Sequence, residues 1–382
     1  MRSHSLSLTI LPAIDTVAAS QWDALVSEEQ PFLRHAFLAA LEASGSVSAA
    51  TGWVPCHLCV WQDSRLVGAL PMYRKDHSYG EYVFDWGWAE ALERAGGDYY
   101  PKGLSAIPFT PVPGPRALIA ANTDTAAVRE QLAIGWKQQC DEVGLSSWHL
   151  LFAEEPEVEA WQRQCPELIA REGVQFQWRD RGVGDFDGFL ASLTSKRRKM
   201  IKRERRLVAD QGLTLHRLEG AAISDVDMAH FYRCYTITYH ERGRPPYLNH
   251  VFFERLRQVM PEALMLVQVR LEGRPVAAAL YFRGAHTLYG RYWGSEIIAD
   301  CLHFEACYYQ GIDYCLAKGL TLFDPGTQGE HKLVRGFAPQ RVRSLHYVAH
   351  PGLAAGVAQF CQEEAAHIMA YRRAAEDALP FK

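Results

Sequence analysis

The chain has 382 residues, of which 48% are hydrophobic and 22% charged, with a formal net charge of −4. That length exceeds the roughly 100–200 residues of a single domain, so two domains or one fused pair are expected. No apolar run approaches the roughly 20 residues of a membrane helix, and the mild negative charge excludes a global pull toward nucleic acid, so any polyanion site is local.

The nine cysteines are odd in number and scattered, which suits reduced core thiols and a cytoplasmic protein. Cys56 and Cys59 form the one C-x-x-C, but their setting, VPCHLCVW, alternates like a strand and sends the two thiols to opposite faces. No metal is expected.

Taken in chain order, the N-terminal MRSHSLSLTILPAID reads as a first strand, because it lacks the continuous apolar core and cleavage site of a leader. PCHLCVW and RLVGALPMYRK then form a hairpin across the turn Gln62-Asp63-Ser64. The next segment, His77 to Trp88 with Asp98 to Lys102, mixes rings with charges. His77, Tyr79, Glu81, Trp86, Tyr100 and Lys102 are either the wall of a substrate cleft or ordinary core. From Pro108 to Arg116 four prolines in eight residues forbid a central strand, so this is an edge or splayed segment, with Thr110 facing the cleft and Arg116 at its end. A helix from about Asp124 to Val143 and the strand SSWHLLFA follow.

A boundary is expected at RDRGVGD, giving domains 1–183 and 184–382. The second opens with apolar positions Phe186, Phe189, Leu190, Leu193, Met200 and Leu207, whose spacing predicts one long helix over 184–211, stopped by Gly212. Between Lys196 and Arg206 it carries eight basic residues against Glu204 alone, a local charge of +7. Without acids at pairing distance, Lys196, Arg197, Arg198, Lys199, Lys202 and Arg203 are either a solvated face or a polyanion contact.

The hairpin design then returns over 265–284, where Val276-Ala277-Ala278-Ala279-Leu280 matches Val67-Gly68-Ala69-Leu70. A strand, a helix over about Asp300–Lys318 closed by Gly319, and the short strand LTLFD follow in the same order as before. The C-terminal stretch from Ala354 to Leu379 is helical. Two copies of one order predict an α/β (α+β) fold of two tandem GNAT-like halves, with mixed, mostly antiparallel sheets flanked by helices. The second copy gathers Arg291, Tyr292, His303, Glu305, Glu330, Lys332 and Arg335 on a strand end, a helix start and a glycine-bearing loop. Lys332 and Arg335, three apart beside free amides, form a candidate phosphate grip.

The runs HSYGEYVFDW, YYPKGLSAIPFTPVPGPR, LYGRYWG, LHFEACYYQGIDY and DPGTQGEHKLVRGFAP resemble a bacterial N-acyltransferase family connected with peptidoglycan biosynthesis or recognition, over about Gln30 to Val348. That family is similar in turn to the Fem-type peptidyltransferases, which move an amino acid from aminoacyl-tRNA onto a peptidoglycan precursor and place a basic helix between or beside their halves. The resemblance implies transfer of an acyl or aminoacyl group to an amine-bearing small molecule or cell-wall precursor. Aminoacyl-tRNA or acyl-CoA is the implied donor, and no cofactor is permanently bound. Acyl transfer needs a base, for which Glu305, His303 and Glu330 are candidates, and an oxyanion donor, for which Tyr292 is one. Lys332, Arg335, Arg116 and Arg291 would hold the donor. The glycine-rich pyrophosphate loop of acetyl-CoA-using relatives is missing from both copies, which favours another donor. The rival reading is a non-catalytic module that recognises a cell-wall precursor or RNA.

Overall fold

A computed structural model describes residues 5–327 and 329–382. It contains two compact units, one of residues 5–173 with Arg341–Ala370, the other of Val174–Gln340 with Tyr371–Lys382. Most of the last strand and of the last helix therefore belongs to the first unit.

In the first unit Leu6–Leu11, His57–Gln62, Arg65–Leu70 and Leu118–Ile119 pair antiparallel in that order. Asp63, at φ 55°, turns the expected hairpin. Pro71, which has no N–H to offer a ladder, separates Arg65–Leu70 from Tyr73–Lys75. The latter strand joins a second set, between Trp53–Pro55 and Lys102–Ser105. Lys102–Ser105 runs parallel to Ser147–Ala153, which pairs antiparallel with residues 343–348. The helix Thr125–Val143 is capped by the Asp124 side chain and ended by Gly144 at φ 72°. Its face of Val128, Leu132, Trp136 and Cys140 buries against Leu58, Val60, Val67 and Leu70. Trp136 also stacks on Trp148, with ring centroids 4.5 Å apart.

In the second unit Leu213–Glu219, Leu264–Leu271, Arg274–Arg283 and Thr287–Ser295 pair antiparallel. Leu322–Asp324 then lies parallel to Thr287–Ser295, so the helical segment 302–318 is the crossover such a pair requires. The two units thus repeat hairpin, strand, helix and strand, the tandem GNAT-like design anticipated from the duplication.

Two expectations need correction. The helix over 184–211 is two helices, Phe186–Ser192 and Ser195–Asp210. Asp185 caps the first, and the extended Leu193 and Thr194 break the run because the C-terminus pairs there: Thr194 N–H donates to Pro380 O (2.8 Å) and Lys382 N–H to Ser192 O (3.1 Å). Apolar spacing persists across the break, so periodicity alone cannot report it. The crossover helix, moreover, is not uniform: after Leu302–Phe304 a π turn spans Glu305–Tyr309 before Gln310–Lys318 resumes.

All nine cysteines are free. Cys56 lies just outside the strand, and burial pushes the Cys56 and Cys59 thiols up to about 12, so both are inert core groups. Among the described residues no helix is long and apolar enough to cross a membrane.

Candidate functional site

Residues at the start of the crossover helix and in the loop after Leu322–Asp324 meet in the second unit. The π turn buries the Glu305 carboxylate, which accepts from Arg205 Nε (3.1 Å) and Gln310 Nε2 (2.8 Å). Arg205 and Glu204 both come from the basic helix. Glu204 takes Arg335 Nη2 at 2.7 Å and the Tyr309 hydroxyl, while Arg335 also donates to Tyr309 Oη and His331 O and lies over the Phe304 ring. Glu305 and Arg335 are therefore engaged in internal pairs with Arg205 and Glu204 of the basic helix.

Lys332 is buried, donates to Gly326 O, and burial brings its ammonium down to about 8. Asp324 holds Arg291 at 3.2 Å with both side chains nearly inaccessible. Glu330 is exposed and accepts from Tyr371 Oη.

His303 differs from these neighbours. Its ring, half-buried, packs against Trp293, Phe304 and Tyr308, and it has no hydrogen bond to the described residues. Burial first, then the positive charges of His331, Lys332, Arg335 and Arg242, hold it down to about 4. The imidazole is thus neutral at physiological pH and surrounded by cations. Tyr292, next to Trp293 in the strand, points to the opposite sheet face and packs on Tyr235, Phe253 and Phe282. It is not part of the His303 cluster.

The first unit holds a second, more deeply enclosed network. Lys102 Nζ donates to Ser78 Oγ (2.7 Å), Glu81 Oε2 (2.7 Å) and Asp85 Oδ2. Ser78 continues to the Tyr100 hydroxyl, and Tyr99 bridges Asp85 and His149. His149 Nδ1 lies 2.7 Å from His346 Nδ1, so one ring donates and the other accepts. Burial alone would lower Lys102, but Glu81 and Asp85 keep it charged. Burial raises Glu81 to about 7 against the pull of Lys102, and burial lowers the neighbouring Lys75 to about 7. Burial likewise lowers His149 to about 3, leaving it neutral. Asp85, which burial would raise, is brought below its usual range by Lys102 and His149.

The sequence-derived cleft residues thus divide. Glu81, Tyr100 and Lys102 belong to the network. His77, Tyr79 and Trp86 form a ring cluster at its edge, with Tyr79 and Trp86 exposed. Thr110 is buried and bonds its own loop at Pro108 O. Arg116 is completely enclosed and donates to the carbonyls of Leu151, Gly114, Pro115 and Val112, so its role is to hold the proline-rich segment rather than to face a ligand.

On the basic helix Lys196, Lys199, Lys202 and Arg203 are exposed, and Arg197 and Arg198 half-exposed. None of the six forms an ion pair among the described residues. Ile201 and Val208 anchor the opposite face in the core.

The FemAB-like family model, described as peptidoglycan biosynthesis/recognition, matches residues 13–382. The chain belongs to this family. Its fold agrees: this FemAB-like protein superposes on FemX with a TM-score of 0.55 at 13% identity, over 90% of this chain and 98% of that one. It also resembles the C-terminal domain of a putative lysylphosphatidylglycerol synthetase from Agrobacterium fabrum (TM-score 0.51, 9% identity, 90% and 95% covered). L-PGS from Bacillus licheniformis gives 0.50 at 11% identity, over 87% and 97%. No curated protein matches the FemAB-like chain.

Sequence reasoning did not single out Lys75, Asp85, Tyr99, His149 or His346. A histidine at the centre of the apolar strand SWHLLFA was the one available signal for the network, since a buried imidazole needs a polar partner.

Proposed function

We propose that this FemAB-like protein is an N-acyltransferase that moves an acyl or aminoacyl group from a phosphate-bearing carrier, aminoacyl-tRNA or acyl-CoA, to an amine such as that of a peptidoglycan precursor. The observation that supports placing the chemistry in the second unit is the neutral, partly exposed His303 imidazole in a field of cations.

An acceptor amine arrives as an ammonium and must lose a proton before its lone pair attacks. His303, with a free ring nitrogen, takes it. Burial first, and the surrounding positive charge second, keep the imidazole a poor base; the phosphate of a docked anionic carrier offsets the second of these and raises the imidazole, which strengthens it as a base. The N–C bond forms as the ester or thioester bond of the donor breaks, and the leaving oxygen or sulfur takes up a proton. Lys332, titrating near 8, supplies positive charge beside the same ring. The unpaired face of the basic helix suits a long polyanion such as tRNA better than a lone nucleotide. One fold neighbour carries a name that refers to lysylphosphatidylglycerol synthesis, which accords with aminoacyl transfer.

The test incubates purified protein with charged tRNAs or acyl-CoAs and with amines including peptidoglycan precursors, scoring amide product by mass. Amide formation that is lost in His303→Ala supports the reading. Specific binding of a precursor or RNA with no product from any donor would replace it with recognition alone.

A further inference from the structure

A cluster on the other face of the second sheet is unrelated to the His303 site. The helix Asp225–His240 packs its backbone directly on the strand Thr287–Ser295: a Cβ at Gly294 would lie 1.8 Å from Cys234 O. Only glycine permits that approach. Glu296, two residues on and held in the ladder by its N–H to Val276 O, points the same way and meets the helix one turn before Cys234, at His230.

We infer that His230, Cys234 and Glu296 form a binding site for a borderline-soft divalent cation of the zinc class. The ligand set is one imidazole, one thiolate and one carboxylate, the types such an ion accepts with three protein ligands and one open position. His230 Nε2 lies 3.5 Å from Cys234 Sγ and 3.7 Å from Glu296 Oε1, and all three ligand atoms lie within 4.8 Å of one another. Ordinary zinc bond lengths in a tetrahedron require about 3.6 Å between sulfur and nitrogen and about 3.4 Å between nitrogen and oxygen, so both separations from His230 already lie close to what an ion needs. His230 and Cys234 are buried, whereas the Glu296 side chain is 29% exposed and gives the ion its route in. Nε2 of His230 thus faces both other ligands, while Nδ1 is buried with no hydrogen-bond partner among the described residues. Arg233 Nε, 3.5 Å from Glu296 Oε1, competes for that carboxylate, but its side chain is 62% exposed and free to swing out. Binding releases the thiol proton, so affinity falls as pH falls.

The experiment titrates metal-free full-length protein with cobalt(II), then displaces it with zinc. One equivalent per chain, with thiolate-to-cobalt charge-transfer absorption that is absent in Cys234→Ser, is the expected result. Glu296→Gln, partly exposed and outside the core, should keep the native circular dichroism and weaken binding by about 10-fold or more. Absence of stoichiometric binding, or binding that both variants leave unchanged and that Cys301→Ser removes instead, would overturn the assignment.

Discussion

The Glu81–Lys102 pair allows a prediction with a worked sign. Burial raises Glu81 from 4.5 to about 7, so between those values the folded chain binds a proton that the unfolded chain has lost. Stability contributed by this group is therefore present at low pH and falls as pH rises through the window, by about 1.4 kcal/mol for each pH unit between the two values, or about 3 kcal/mol in all. Glu81→Gln mimics the protonated carboxyl, still offers an oxygen to Lys102, and cannot lose the proton. Asp85 remains as the counterion. Relative to the native chain the variant's gain in unfolding free energy should grow from near zero at roughly pH 4.5 to about 3 kcal/mol near pH 8. Lys75 trims the gain above pH 7, because the ionised Glu81 carboxylate supports its ammonium and the variant lacks that support. Urea unfolding of both proteins across the pH range measures the difference. If the two stability curves run parallel, Glu81 does not titrate in this window and the argument from burial fails.

Arg116→Ala leaves four carbonyls without their donor and should lower stability by more than about 3 kcal/mol in a thermal or urea melt, while donor affinity of the folded fraction stays the same. Gly294→Ala places a methyl against Cys234 O and should cost more than about 4 kcal/mol, read by the same melts. Replacing Lys196, Lys199, Lys202 and Arg203 together by serine should reduce the log–log salt slope of single-stranded RNA affinity by about 3, with little loss of stability, because their side chains meet solvent.

Much of the architecture was legible because each element states itself locally. Alternating apolar residues gave the two hairpins, Asp124 and Gly144 bounded one helix, and Gly319 closed another. The break at Leu193–Thr194 was not legible, because its cause is the C-terminal Pro380–Lys382 segment some 190 residues away. The site was legible only as composition. Glu305, Arg335 and Arg116 looked available in sequence, yet each is engaged by a distant partner or a backbone carbonyl that linear order does not reveal. Strand alternation did carry the information that Tyr292 and Trp293 face opposite ways, but only the position of His303 says which face matters. Of the network around Lys102, the sequence offered Glu81, Tyr100 and Lys102, but its histidine end escaped because His149 and His346 lie 197 residues apart.

The most direct test of the acyl-transfer account is a single-turnover measurement with a charged tRNA or acyl-CoA donor, comparing His303→Ala with the native chain and measuring donor affinity separately. The account predicts amide formation slowed by about 100-fold or more, with donor Kd little changed, since the lost group acts on the acceptor proton. Equal single-turnover rates in the two proteins would contradict it.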